Sequence, residues 1–267
     1  MPNTIFERHV RRWRLRADGA PIFTHSSALL PVRVDGGAAM LKVARVDEER
    51  AGGALMAWWH GDGAARVLAH DGDALLLARA EGARSLFDMA LSGDDDLASR
   101  TLCAVAARLH ADRPGPPPPL TSLARWFAEL DPAARQHGGL FRASADTARA
   151  LLADPRDMAV LHGDLHHRNV LDFGEDGWLA IDPKGLSGER GFDFANILCN
   201  PELPIASDPA RFARQVEVVA AAARLERRRL LQWTLAYAGL SAAWFIADGM
   251  AGKADLSVAR MAFTELQ

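Results

Sequence analysis

Cysteine, lysine and long apolar runs are all scarce in this 267-residue chain. Cys103 and Cys199 are its only cysteines. Two lone thiols make neither a disulfide framework nor a zinc knuckle, and they fit a reducing compartment. There is no excess of positive charge: the formal net charge is −3. That excludes a global basic field for nucleic acid or an anionic membrane. The opening residues, MPNTIFERHVRRWRLRADG, contain no apolar core of a signal peptide. The longest apolar candidate, residues 235–246, is about half the roughly 20 residues a membrane helix requires. The expectation is a cytoplasmic protein that binds neither nucleic acid nor a membrane.

Hydrophobic residues make up 49% of the chain and charged residues 24%, a globular balance. The length fits one large domain or two small ones. Residues 26–34 and 38–43 read as strands around the turn signal Asp35-Gly36-Gly37. Asp47, Glu48 and Glu49 open a helix to about Trp59, their charge suiting its dipole. Residues 65–69 and 74–78 form a second hairpin. Beyond Glu81-Gly82 the pattern turns helical, at 97–110, 120–130, 143–152, 212–224, 228–248 and 254–266. The proline run at 114–119 must be an extended connector. Residues 160–201 read as loop and short strand. The fold class is therefore α+β, with a strand-rich lobe at 1–80 and a larger helical lobe at 81–267.

The chemistry concentrates in HGDLHHRNVLDFGEDGWLAIDPKG, residues 162–185. Two short strands flank the turn at 174–177, and such a hairpin places Asn169 and Asp182 at one open end. Asp164 sits on the loop entering it. Phosphoryl transfer suits this set. A carboxylate and an amide oxygen are hard ligands for Mg2+, and a separate carboxylate can accept the proton of a substrate hydroxyl. Asp164 is the expected base, and Asn169 and Asp182 are the expected metal ligands. A rival reading takes His162, Asp164, His166 and His167 as the zinc site of a hydrolase. No second histidine cluster follows them.

Lys42 lies on the second strand and is the only lysine in the first 180 residues. Its ammonium suits ATP phosphates, with Glu49, or alternatively Glu48, as its ion-pair partner. No glycine-rich phosphate loop precedes it. Ser26 and Ser27 stand there instead. Arg79 and Glu81 lie on the segment leaving the small lobe, whose backbone groups are expected to meet the adenine edge.

These segments, together with THSSALLPVR, AMLKVARV, GERGFDFANI and GLSAAWFIADG, resemble the aminoglycoside phosphotransferases, and within them the streptomycin 6-phosphotransferase branch. The resemblance spans about Trp13 to Asp248. It implies a bilobal protein-kinase-like fold and ATP-dependent phosphorylation of the streptomycin 6-hydroxyl, which inactivates the antibiotic. It also implies Lys42 on ATP phosphates, Asp164 as base, and Asn169 and Asp182 on magnesium. Asp182 is followed by Pro183-Lys184 rather than Phe-Gly, so no protein-kinase-like loop flip is expected. Streptomycin carries two guanidinium groups, which pair bidentately with carboxylates. Glu189, Asp193, Glu202 and Asp248 are the candidates, with Asp193 also suited to capping a helix or tying down the catalytic loop. Trp244 and Phe245 read as core. The alternative substrate is another small hydroxylated metabolite.

Overall fold

The structure is a computed structural model describing residues 4–202 and 204–267. Helix α1 (Thr4–Arg12) precedes β1 (Arg16–Ala17), β2 (Ile22–Phe23), β3 (Ser27–Val34) and β4 (Gly37–Ala44). Helix α2 (Asp47–Trp59) follows, then β5 (Val67–Asp71) and β6 (Ala74–Ala78). The strands form one antiparallel sheet in the order β1-β3-β4-β6-β5, with β2 also on β3. Strand alternation decides what each face sees. Leu41 and Val43 are buried with Phe6 of α1 in a small core on one face. Met40, Lys42 and Ala44, one residue out of phase, line the cleft on the other.

The second lobe begins with α3 (Leu86–Leu91) and α4 (Asp95–Leu109), then β7 (Thr121–Ser122), α5 (Leu123–Trp126), α6 (Leu130–His137) and α7 (Gly139–Ala153). Next come β8 (Met158–Leu161), β9 (Val170–Asp172), β10 (Trp178–Ala180) and β11 (Leu186–Glu189). The chain closes with α8 (Gly191–Leu198), α9 (Pro209–Ala223), α10 (Arg227–Ala247) and α11 (Lys253–Glu265). Leu55, Met56 and Trp59 of α2 join the same large core as Phe192 and Trp233.

Three features depart from the sequence reading. The 160–201 segment contains helix α8, all eight residues of which are buried. Strand β11 pairs with both β7 and β8, which lie far from it in the chain. Helix α10, at 21 residues, does have the length and hydropathy of a membrane span, but 72% of that stretch is buried inside the protein. It is the central helix of the helical lobe.

The lobes touch without spacing side chains. A β-carbon on Gly52 would lie 2.2 Å from the Pro183 carbonyl oxygen, and where the chain enters the second lobe one on Gly82 would lie 2.1 Å from the Asp172 carboxyl carbon. Ala65 N–H donates to the Ala180 carbonyl at 2.8 Å. Arg84 grips Asp172 through Nε at 2.8 Å and Nη2 at 2.9 Å.

Candidate active site

Lys42 projects from β4 into a cleft of about 350 Å3 between the lobes. Its ammonium pairs with both Glu49 of α2 and Asp182. Glu48, the other candidate, pairs with Lys184 at 3.0 Å instead. The helix explains the division: adjacent residues project about 100° apart, so Glu49 is buried while Glu48 is not. Ser26 and Ser27 line the same cleft, and the Ser27 hydroxyl is buried with no partner among the described residues. Arg79 reaches the cleft wall, but its guanidinium is bonded to Asp18 at 2.6 Å. Glu81 is exposed and does not line the cleft, which reaches only as far as Ala80 on this segment.

Strands β9 and β10 pair Val170 with Ala180, and Ile181 N–H donates to Asn169 O at 2.9 Å. Asn169 and Asp182 therefore flank the open end of one hairpin. Asn169 Nδ2 donates to the Asp164 backbone carbonyl at 2.9 Å and to Asp164 Oδ2 at 3.1 Å. This turns the amide oxygen away from Asp164, and it accepts no hydrogen bond among the described residues. A free amide oxygen beside a carboxylate is a donor set that fits Mg2+.

Asp164 is fixed from several sides. Asn196 Nδ2 donates to its Oδ1 at 3.0 Å. The backbone beneath it is pinned by Asp193, which accepts from His162 N–H at 2.9 Å and Gly163 N–H at 2.8 Å. His110 Nε2 completes that cluster at 2.7 Å. Burial works to raise the Asp193 pKa, but the His110 hydrogen bond, the two imidazoles and the backbone donors outweigh it and hold the carboxyl below its usual range.

His162 stacks on Trp59 with ring centroids 6.3 Å apart. Its Nε2–H donates to Ile181 O at 2.8 Å, and its Nδ1 accepts from Asp164 N–H at 3.2 Å. Burial lowers its pKa despite the two nearby carboxylates. A neutral imidazole used at both nitrogens has no lone pair for a metal. Among the described residues no group of three or more His, Cys, Asp or Glu side chains is placed to hold one. His167 is also buried, and His166 stands 3.7 Å from Asp164. The zinc-hydrolase alternative is thereby corrected.

Beyond Asp164 lie two adjoining hollows of about 600 and 410 Å3, which share Asp164, Tyr237, Ser241 and Phe245. Glu202 lines the first, and Asp248 the second. Glu189 does not reach either. It is 3% exposed and bonded to Arg229 at 2.8 and 2.5 Å, Trp233 Nε1 at 2.7 Å and Arg156 N–H at 3.0 Å. Glu189 and Asp193, both expected among the substrate carboxylates, are structural because their oxygens are already taken. Phe245, expected in the core, is 39% exposed at the hollows' wall. Glu129 and Asp255 also line the hollows and escaped the sequence reading. Lys184 lines the second hollow. Burial works against its charge, but Glu48 and Asp164 raise its pKa.

Known proteins share this architecture and sequence. A streptomycin 3″-kinase of Klebsiella pneumoniae is 55% identical over 90% of this chain and 92% of its own length. A streptomycin 6-kinase of Streptomyces griseus is 34% identical over 96% of this chain and 86% of its own. A solved structure of an aminoglycoside phosphotransferase of Streptomyces rimosus, in complex with ADP and streptomycin, superposes with a TM-score of 0.57. That match covers 90% of this chain and 98% of the other at 17% identity. Residues 12–249 match the family model described as aminoglycoside/hydroxyurea antibiotic resistance kinase. With nearly the whole lobe pair matched, the chain belongs to the aminoglycoside/hydroxyurea antibiotic resistance kinase family.

Proposed function

We propose that this protein transfers the γ-phosphoryl group of ATP to a hydroxyl of streptomycin and so inactivates it. The observation that carries the reading is Asp164, set at the wall of an acidic hollow and one short loop from the Lys42 cleft. Lys42 binds the nucleotide phosphates and Glu49 orients it. Asn169 and Asp182 would hold Mg2+, which when bound neutralises charge on the phosphate oxygens. Asp164 accepts the hydroxyl proton and holds that oxygen in line. Glu129, Glu202, Asp248 and Asp255 offer carboxylates to the two guanidinium groups. A monomeric cytoplasmic protein remains part of the proposal.

The acceptor position is the finer point. The relative named for the 3″-hydroxyl is 55% identical, against 34% for one named for the 6-hydroxyl. The greater identity favours the 3″-hydroxyl over the 6-hydroxyl implied by the initial resemblance. Incubation with magnesium-ATP and streptomycin should add one phosphoryl group, and NMR of the product should locate it on the 3″-oxygen. Phosphate on the 6-oxygen would reverse the positional choice alone. No phosphorylated streptomycin at all would overturn the function.

Selectivity follows from the carboxylates. Kanamycin presents ammonium groups where streptomycin presents planar forks. Each mismatched buried polar group costs about 1–3 kcal/mol, so two cost at least about thirtyfold in kcat/KM. Comparable kcat/KM values for the two drugs would remove guanidinium recognition from the proposal.

The Lys42 pair gives a further expected result. Lys42→Ala should raise the KM for ATP and lower kcat, Glu49→Ala should do so less severely, and Glu48→Ala should leave the KM for ATP near wild type. Steady-state kinetics on the three variants check this. Damage from Glu48→Ala with a silent Glu49→Ala would assign the wrong partner.

A further inference from the structure

We propose that Asn196 is a positioning residue that fixes the carboxylate of Asp164, and that Asn200 sets the orientation in which it does so. The inference rests on the kinase reading above. Two amides grip Asp164 from opposite oxygens. Asn169 Nδ2 donates to Oδ2 at 3.1 Å, and Asn196 Nδ2 donates to Oδ1 at 3.0 Å. The end torsion of an aspartate is soft and has a broad, two-fold preference. One hydrogen bond leaves the carboxylate free to pivot about the bonded oxygen, whereas two on opposite oxygens fix its plane.

Asn196 stands in the last turn of α8 and is 4% exposed. An asparagine so placed could present either its NH2 or its oxygen to Asp164. Asn200 decides between them. Its Nδ2 donates to Asn196 Oδ1 at 2.9 Å and to Asn196 O at 2.9 Å. With the oxygen occupied by a donor, the NH2 faces the carboxylate. The reverse orientation would set two acceptors against each other and two donors against each other. Helix α8 thus secures the reactive loop twice. Asp193 in its first turn holds the loop backbone, and Asn196 in its last turn holds the reactive side chain.

The roles of the two amides differ. Asn169 is shared with the metal site, so its removal would disturb both metal and base. Asn196 does not line the Lys42 cleft; it and Asn200 line the larger hollow beside Asp164. Its contribution should therefore appear in turnover and not in nucleotide binding.

Asn196→Ala should lower kcat about tenfold to hundredfold, the scale set by a misplacement of about 1 Å, with the KM for ATP within about twofold of wild type. Asn200→Ala keeps the Asn196 side chain but releases its orientation, and should lower kcat about twofold to tenfold. In an Asp164→Asn background, Asn196→Ala should cost nothing more, because its partner's function is already gone. Thermal melting of each variant checks folding. If Asn196→Ala does not fold, Asn200→Ala alone decides, and full kcat in that variant would overturn the inference. So would wild-type kcat in folded Asn196→Ala, or an equal loss in both backgrounds. Wild type is assayed alongside: absence of streptomycin phosphorylation there defeats the kinase reading itself, and the inference with it.

Discussion

Replacing Asp164 by asparagine is expected to lower kcat by at least about a hundredfold while leaving the KM for ATP close to wild type. The substitution preserves size and removes only the proton acceptor. General-base assistance is worth about 10²- to 10⁴-fold, and a positioned carboxylate also aligns the attacking oxygen. The nucleotide side is spared because Lys42 and Glu49 sit on other elements, where Lys42 pairs with Glu49 and Asp182. The introduced amide would face Asn169 and Asn196, each presenting an NH2 group to it. One of its ends would then meet donor with donor, so a modest loss of stability should accompany the loss of turnover. Steady-state kinetics with ATP and streptomycin, beside a melting curve, separate the two effects. Turnover within tenfold of wild type would exclude Asp164 as the base.

The second large effect is on stability. Asp193→Ala is expected to destabilise the protein by about 3–5 kcal/mol, because three buried donors lose a charged acceptor together. Those donors are His162 N–H, Gly163 N–H and His110 Nε2. Asp193 is 1% exposed, so water cannot readily replace it. The shift should appear as a lower urea midpoint at constant slope. The pH dependence has a definite sign. The folded-state pKa of Asp193 lies below its ordinary value. Its contribution is therefore complete above the unfolded pKa of about 3.9 and is lost as pH falls through the folded value. Wild type and Asp193→Ala should accordingly converge in stability on acidification below about pH 4. Equal midpoints at neutral pH would show that the cluster does not anchor the loop.

Much of this was legible in the chain. Asp35-Gly36-Gly37 announced the β3–β4 hairpin, and Asp47 to Glu49 announced the start of α2, because both are local signals. The approach of Asn169 to Asp182 followed from a short hairpin, again a local matter. Helix α8 was hidden for a physical reason. A helix buried on every side has no polar face, so GFDFANIL shows no helical alternation to read. Asn196 went unseen with it. Glu189 looked like a free acid because Arg229, its partner, lies forty residues further on. Asp255 and Glu129 reach the hollows from widely separated parts of the sequence, and only packing brings them to the same region. Side chains that share a cleft through tertiary contact leave no spacing in the sequence.

The close approach at Gly52 separates chain order from mechanics. By sequence, α2 belongs with the strands, between β4 and β5. By packing it is shared: Leu55, Met56 and Trp59 sit in the large core together with Leu75 and Leu77 of β6, and Gly52 rests on the Pro183 carbonyl. Lys42 of the sheet meets Glu49 of that shared helix and Asp182 beyond β10, so one ammonium in the cleft ties together three separate stretches of chain.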